Sequence, residues 1–305
     1  MTETTAQETR ANLAGSLWMV AGMAAFAVED AMVKAAAASL PIAEVLVLFG
    51  LGGALLFAVF AIVRGEPMFG ADALSRPMRV RACFEVTARL FYVLALALTP
   101  LSATTAILQA TPIVVVLGAA ILFGERVGWQ RWTAILVGLV GVLIVLRPGA
   151  ESFSALSVLA LVGMLGFAAR DLASRAAPRS IATAVLGFYG FAAIVLAGAA
   201  YALVWERKAF VIPEPVPALL LSAAVICGVL AYAALMKAMR TGAVSVVTPF
   251  RYTRLIFGIA LGVLVFGERL DLPTVVGSLV IVLAGIIILK PSAALDLARA
   301  GRRTS

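Results

Sequence analysis

Between residues 13 and 290 the chain passes through ten apolar stretches, at 13–35, 42–63, 78–98, 102–123, 130–147, 154–174, 180–204, 215–238, 243–266 and 272–290. Each is close to the ~20 residues that a helix needs to cross the hydrocarbon core of a bilayer. The connections are too short to hold a soluble domain. The stretches are also too long and too uniformly apolar for barrel strands, which alternate over about ten residues. An all-α polytopic membrane protein of ten transmembrane helices follows, and the composition agrees: 63% hydrophobic, 13% charged, mean hydropathy +1.08. The polar segment 1–12 reads as an N-terminal tail and 291–305 as a basic C-terminal tail. The tail lacks the basic start of a signal peptide, so the first apolar run reads as a retained helix.

The net charge of +8 belongs to loops, which argues against a nucleic-acid partner. With the N-terminus cytoplasmic, one set of loops and tails holds Arg10, Arg64, Arg76, Arg79, Arg81, Arg126, Arg131, Arg175, Arg179, Lys237, Arg240, Lys290, Arg299, Arg302 and Arg303. The other side holds only Lys34, Arg147, Arg207, Lys208 and Arg269. That bias places both termini in the cytoplasm.

The ten stretches are two copies of five. A shift of 141 residues lays GMAAFAVEDAMVK (22–34) on GMLGFAARDLASR (163–175), and a shift of 143 lays FGER at 123–126 on FGER at 266–269. Because five is odd, the second copy enters the membrane from the opposite side. Inverted repeats of this kind are a transporter architecture, with the solute site near the midplane where the copies meet. Gly124 and Gly267 of FGER read as left-handed helix ends, a structural reading set against a gating ion pair.

The organisation resembles the drug/metabolite transporter superfamily with paired EamA-type domains. LSATTAILQATPIVVVLGAAILFGERVGWQRWTAILVGLVGVLIVLRPG (101–149) and SVVTPFRYTRLIFGIALGVLVFGERLDLPTVVGSLVIVLAGIIILKP (245–291) carry the resemblance. It implies two EamA-type units, at 13–147 and 154–290, in a secondary carrier of a bacterial-type inner membrane, working without ATP hydrolysis or a cofactor. The run Phe250-Arg251-Tyr252-Thr253-Arg254 is similar to the branch containing riboflavin and S-adenosylmethionine importers.

Charges inside the stretches are the candidate site, since each costs about 2.5–3.5 kcal/mol at mid-membrane. Asp30–Lys34, Glu85–Arg89 and Asp171–Arg175 are spaced for intrahelical pairs with the acid first. The first and last of these recur in both copies and read as structural pairs or proton-coupling groups. Glu29, Arg170, Arg251 and Arg254 have no such local partner, and Glu29 and Arg170 are repeat equivalents of opposite sign. Arg251, Tyr252 and Arg254 follow Pro249; Gln109 overlies Tyr252 and precedes Pro112. With Glu85, Arg89 and Tyr92, these residues are the expected solute ligands, although Tyr92 and Trp18 also suit packing or interface roles. Cys83 and Cys227 read as buried thiols. The chain has no histidine, so a proton relay or a metal site would need carboxylates, and no metal site is expected.

The function expected is transport of a small polar organic solute, riboflavin-like, S-adenosylmethionine-like or amino-acid-like, with proton coupling and a homodimer both open. An intramembrane enzyme and a membrane scaffold are the alternatives. Against the enzyme stand the missing histidine and the lack of a nucleophile–base set or a phosphate-binding loop.

Overall fold

A computed structural model describes residues 3–124, 129–146, 155–175, 181–241 and 247–289. Among these residues the chain is helical and contains no strand. In the first copy α1 is Glu3–Ala36, α2 Ile42–Val63, α3 Arg76–Leu98, α4 Leu101–Leu108, α5 Thr111–Phe123 and α6 Trp129–Leu146. In the second, α7 is Ser157–Arg175, α8 Thr183–Tyr201 and α9 Pro215–Thr241. A 3-10 turn, Thr248–Tyr252, leads into α10, Thr253–Phe266, and α11 is Leu272–Leu289. Since α1 starts at Glu3, most of the expected tail is an extension of the first helix. α4 and α5 together make the fourth crossing.

Prolines and glycines punctuate these helices where the backbone tolerates them. Pro77 and Pro112 sit in the first turns of α3 and α5, where a missing N–H costs nothing. Gly124 and Gly267 end α5 and α10 with φ of 63° at both positions, as the FGER repeat leads one to expect.

The chain is a polytopic membrane protein built from two inverted five-helix repeats. Thr9–Ala36, Ile42–Val63, Leu101–Leu122, Thr183–Glu206 and Pro215–Met239 are each long and apolar enough to cross a bilayer. α3 and α7 are less apolar because they carry the charged groups described below. Outward faces are greasy: Leu55, Ile121 and Leu264 are 66%, 70% and 81% exposed, which suits lipid as the solvent.

The most extensive contacts are between copies: α1 on α9, α3 on α7, α2 on α8 and α6 on α11. Exchanging each crossing for its repeat partner turns the first contact into the second and returns the other two to themselves. The repeat glycines show how close these contacts are. A Cβ on Gly22 would lie 3.2 Å from the Ala231 carbonyl of α9, and one on Gly163 would lie 3.0 Å from the Tyr92 nitrogen of α3. Small residues let helix backbones approach in lipid, where packing rather than the hydrophobic effect holds helices together.

Candidate functional site

The inter-copy packing leaves a cavity of about 570 Å³ walled by α1, α3, α7, α8, α9 and the two broken crossings. Its lining extends from Gln109 and Arg254 at mid-helix to Arg81, Ile181 and Met239, toward the end where α3 begins and α9 finishes. At the opposite end polar contacts join the two copies. Glu268 of the second FGER accepts hydrogen bonds from the Leu101 and Ser102 amides and from the Ser102 hydroxyl, capping α4 from the other copy. At that same end Glu206 accepts from the Ile42 and Ala43 amides, and Glu44 from that of Val211. The first turn of a helix has orphan N–H groups and a positive dipole end, so carboxylates suit it.

On one side of the cavity α1 presents two adjacent acids that point apart, as the 100° helical step requires. Asp30 is 1% exposed. It accepts from Arg254 Nη2 at 2.6 Å, from Arg254 Nε at 3.2 Å and from the Tyr92 hydroxyl at 2.9 Å. The Arg254 guanidinium lies over the Phe26 ring at 4.9 Å, and cation–π attraction adds to the pairing. Glu29 faces α9 instead. Its Oε1 is 3.4 Å from Arg89 Nη1, while Oε2 is buried with no hydrogen-bond partner among the described residues, at a point where a Cβ on Gly228 would lie 3.2 Å away.

The other side gathers around Glu85. Its carboxylate pairs with Arg170 at 3.2 Å, and with Arg81 and Arg89 at 3.6 Å each. Arg170 also pairs with the adjacent Asp171 at 2.7 Å. Phe167, the repeat equivalent of Phe26, lies beneath Arg170 at 4.8 Å and Arg89 at 5.6 Å. Four carboxylates therefore engage four arginines, the balance that charges at membrane depth need. Arg251 is a fifth arginine. It lines the cavity, and its carbonyl accepts from Gln109 Nε2 at 3.0 Å, joining the two broken crossings. Its guanidinium makes no ion pair among the described residues.

The cavity thus draws on Gln109, Arg251, Tyr252 and Arg254 from the broken crossings, and on Glu85, Arg89, Tyr92, Arg170 and Asp171 from α3 and α7. Three expectations need correction. Lys34 does not pair with Asp30: its Nζ donates to the carbonyls of Leu96 at 2.9 Å and of Thr99. It meets them because α3 ends there and leaves its last carbonyls without helical donors. Glu29 is not part of the cavity lining and meets Arg89 rather than its repeat equivalent Arg170, which has Glu85 and Asp171 instead. Cys83 is exposed and Cys227 partly so, not buried. The Arg175 side chain, and with it the Asp171–Arg175 pair, lies outside the described residues.

Sequence reasoning left Arg81 among the loop charges, yet it is 7% exposed and lines the cavity. The signal was present: Arg81, Glu85 and Arg89 form one stripe at successive i,i+4 steps. The capping roles of Glu268 and Glu206 had no local signal, since their acceptor geometry is set by helices some 165 residues away. No group of three or more Cys, Asp and Glu that could hold a metal ion occurs among the described residues.

A broken-helix, charge-lined cavity between inverted repeats is the arrangement of secondary membrane transporters. The chain belongs to the EamA-like transporter family, which matches it twice, at residues 13–147 and 155–290. It is 31% identical over 281 residues to the pseudopaline exporter CntI of Pseudomonas aeruginosa, covering 89% of this chain and 94% of that one. It is 26% identical over 266 residues to a riboflavin transporter of Vibrio cholerae, covering 84% and 86%. An S-adenosylmethionine uptake transporter of Rickettsia prowazekii is 23% identical over 194 residues, covering 64% and 65%. A crystal structure at 20% identity superposes with a TM-score of 0.61 over 93% of this chain and 98% of that one, which shows the shared fold.

Proposed function

We propose that this membrane transporter moves a small polar organic metabolite by alternating access, rocking one five-helix copy against the other around the central cavity. The observation that carries this reading is the cavity itself. It holds five arginines and an aromatic wall at the interface of the inverted copies, open toward one membrane face and tied shut toward the other. With both termini cytoplasmic in a bacterial-type inner membrane, the state described is open to the cytoplasm, and the Glu268 cap closes the outer face. The relatives are named for transport of pseudopaline, riboflavin and S-adenosylmethionine, which supports a small-metabolite solute for a lining that mixes charge, aromatic rings and methionines.

Flux across proteoliposomes tests it. Purified protein is reconstituted and uptake and efflux of flavins, amino acids, nucleosides and S-adenosylmethionine are followed with and without a pH gradient. Saturable flux of at least one solute, with no nucleotide added, is the expected result. A panel in which nothing moves under either condition removes the proposal.

A further inference from the structure

We infer that Arg251 is an anion anchor: the transported solute carries a carboxylate or phosphate that seats on its guanidinium. The inference deepens the transporter reading and rests on it. In the described state the four carboxylates around the cavity are committed elsewhere. Asp30 holds Arg254 and Tyr92, Glu85 holds Arg81, Arg89 and Arg170, Asp171 holds Arg170, and Glu29 holds Arg89. Among the described residues Arg251 forms no ion pair: Asp171 acts on it through space but is already engaged by Arg170, so five arginines face four carboxylates. A guanidinium without an ion pair at membrane depth is costly, so its place in the cavity lining calls for a counter-charge that enters and leaves.

The backbone around Arg251 is held in position. The residue lies in the 3-10 turn Thr248–Tyr252, and its carbonyl takes the Gln109 amide. The guanidinium is planar and presents five donors, which matches the paired oxygens of a carboxylate or phosphate. The repeat makes the choice specific: the 143-residue shift lays Arg251 on Leu108 and Arg254 on Thr111, so the second copy carries cations that the first lacks. In the same lining, Met23, Leu235, Met236 and Met239 supply an adaptable apolar surface, which suits a solute with a ring or chain attached to its anionic group.

Two matched pairs of solutes test the assignment by binding to detergent-purified, full-length protein. Indole-3-acetate against indole-3-acetamide probes a carboxylate. Riboflavin 5′-phosphate against riboflavin probes a phosphate. The anionic member of at least one pair is expected to bind about tenfold or more tightly than its neutral partner, the worth of a charge-assisted hydrogen bond. Arg251→Gln abolishes that preference, and Arg251→Lys, which keeps the charge but loses the fork, retains part of it. The pair that discriminates identifies the anion.

Stability without solute provides an independent readout. The melting midpoint of the solute-free protein holds or rises with Arg251→Gln and falls with Arg254→Gln, whose partner Asp30 is left buried. A fall with Arg251→Gln as large as that with Arg254→Gln marks a structural cation and overturns the assignment. So does a preference for anions that survives Arg251→Gln, or a panel in which no anion outbinds its neutral partner. Anion-selective binding that depends on Arg251 but gives no flux in proteoliposomes would sink the transporter reading alone and leave the anchor standing.

Discussion

Replacing Asp30 by Asn tests the account of how the buried charges are held. Asp30 lies at 1% exposure and takes three hydrogen bonds, two from Arg254 and one from Tyr92. Asn keeps the shape and one acceptor oxygen, so the main loss is the charge facing a guanidinium that stays buried. Breaking a buried pair from one side costs about 3–5 kcal/mol, most of it the penalty of the orphaned partner. Arg254→Gln orphans Asp30 in the same way and should cost a similar amount. The double variant orphans neither group, so its cost should fall short of the sum by about 2–3 kcal/mol, within the range of coupling seen for residues in one network. Unfolding in mixed micelles, followed by helical circular dichroism against denaturing detergent, measures all three. A parallel cycle with Asp30→Asn and Lys34→Met should be additive within about 0.5 kcal/mol, because Lys34 bonds the end of α3 instead. Coupling between Asp30 and Lys34 with additivity between Asp30 and Arg254 would refute the assigned partners and restore the intrahelical pair.

Other perturbations have equally definite expectations. Lys34→Met leaves the Leu96 and Thr99 carbonyls without their donor and should destabilise by about 1–3 kcal/mol in the same unfolding assay, the cost of unsatisfied buried acceptors. Gly53→Ala would drive a methyl group into the Phe191 ring and should cost about 1–3 kcal/mol through overpacking. Gly190→Ala, where an added methyl group meets nothing within 4 Å, should instead gain up to about 1 kcal/mol of helix propensity; the same sign for both variants would contradict the packing of α2 on α8. Glu268→Gln weakens the cap on α4 and should raise the reactivity of a cysteine placed at Ser102 toward a water-soluble maleimide; an unchanged rate would deny Glu268 a closing role.

Much of this architecture could be read from the residues because it depends on position along one helix. The matched Gly22 and Gly163 mark the two crossings of equivalent helices, and the matched FGER glycines both adopt the left-handed end. Partner choice was not legible in the same way. Lys34 sits one turn from Asp30, but where it donates depends on where α3 happens to end, 62 residues further on. Asp30 looked self-sufficient within its helix, yet its partner Arg254 comes from the other copy, 224 residues away. The repeat itself misled here. Arg254 overlies Thr111, so the second copy's Asp171 has no equivalent of that arginine and pairs with its neighbour Arg170. The side chains that break the symmetry build the cavity, and a pattern-based reading sees symmetry best.

Access to a single deep position from each membrane face tests alternating access most directly. Thr111 lines the cavity and is 9% exposed. Thr111→Cys, made with Cys83→Ser and Cys227→Ala and reconstituted in one orientation, is exposed to a membrane-impermeant thiol reagent on one face and then on the other. Alternating access requires reaction from both faces, faster through the open end, with the slower rate rising when Glu268→Gln is added. Reaction from one face alone, unchanged by Glu268→Gln and by every solute that binds, would show a fixed crevice rather than a transporter's cavity.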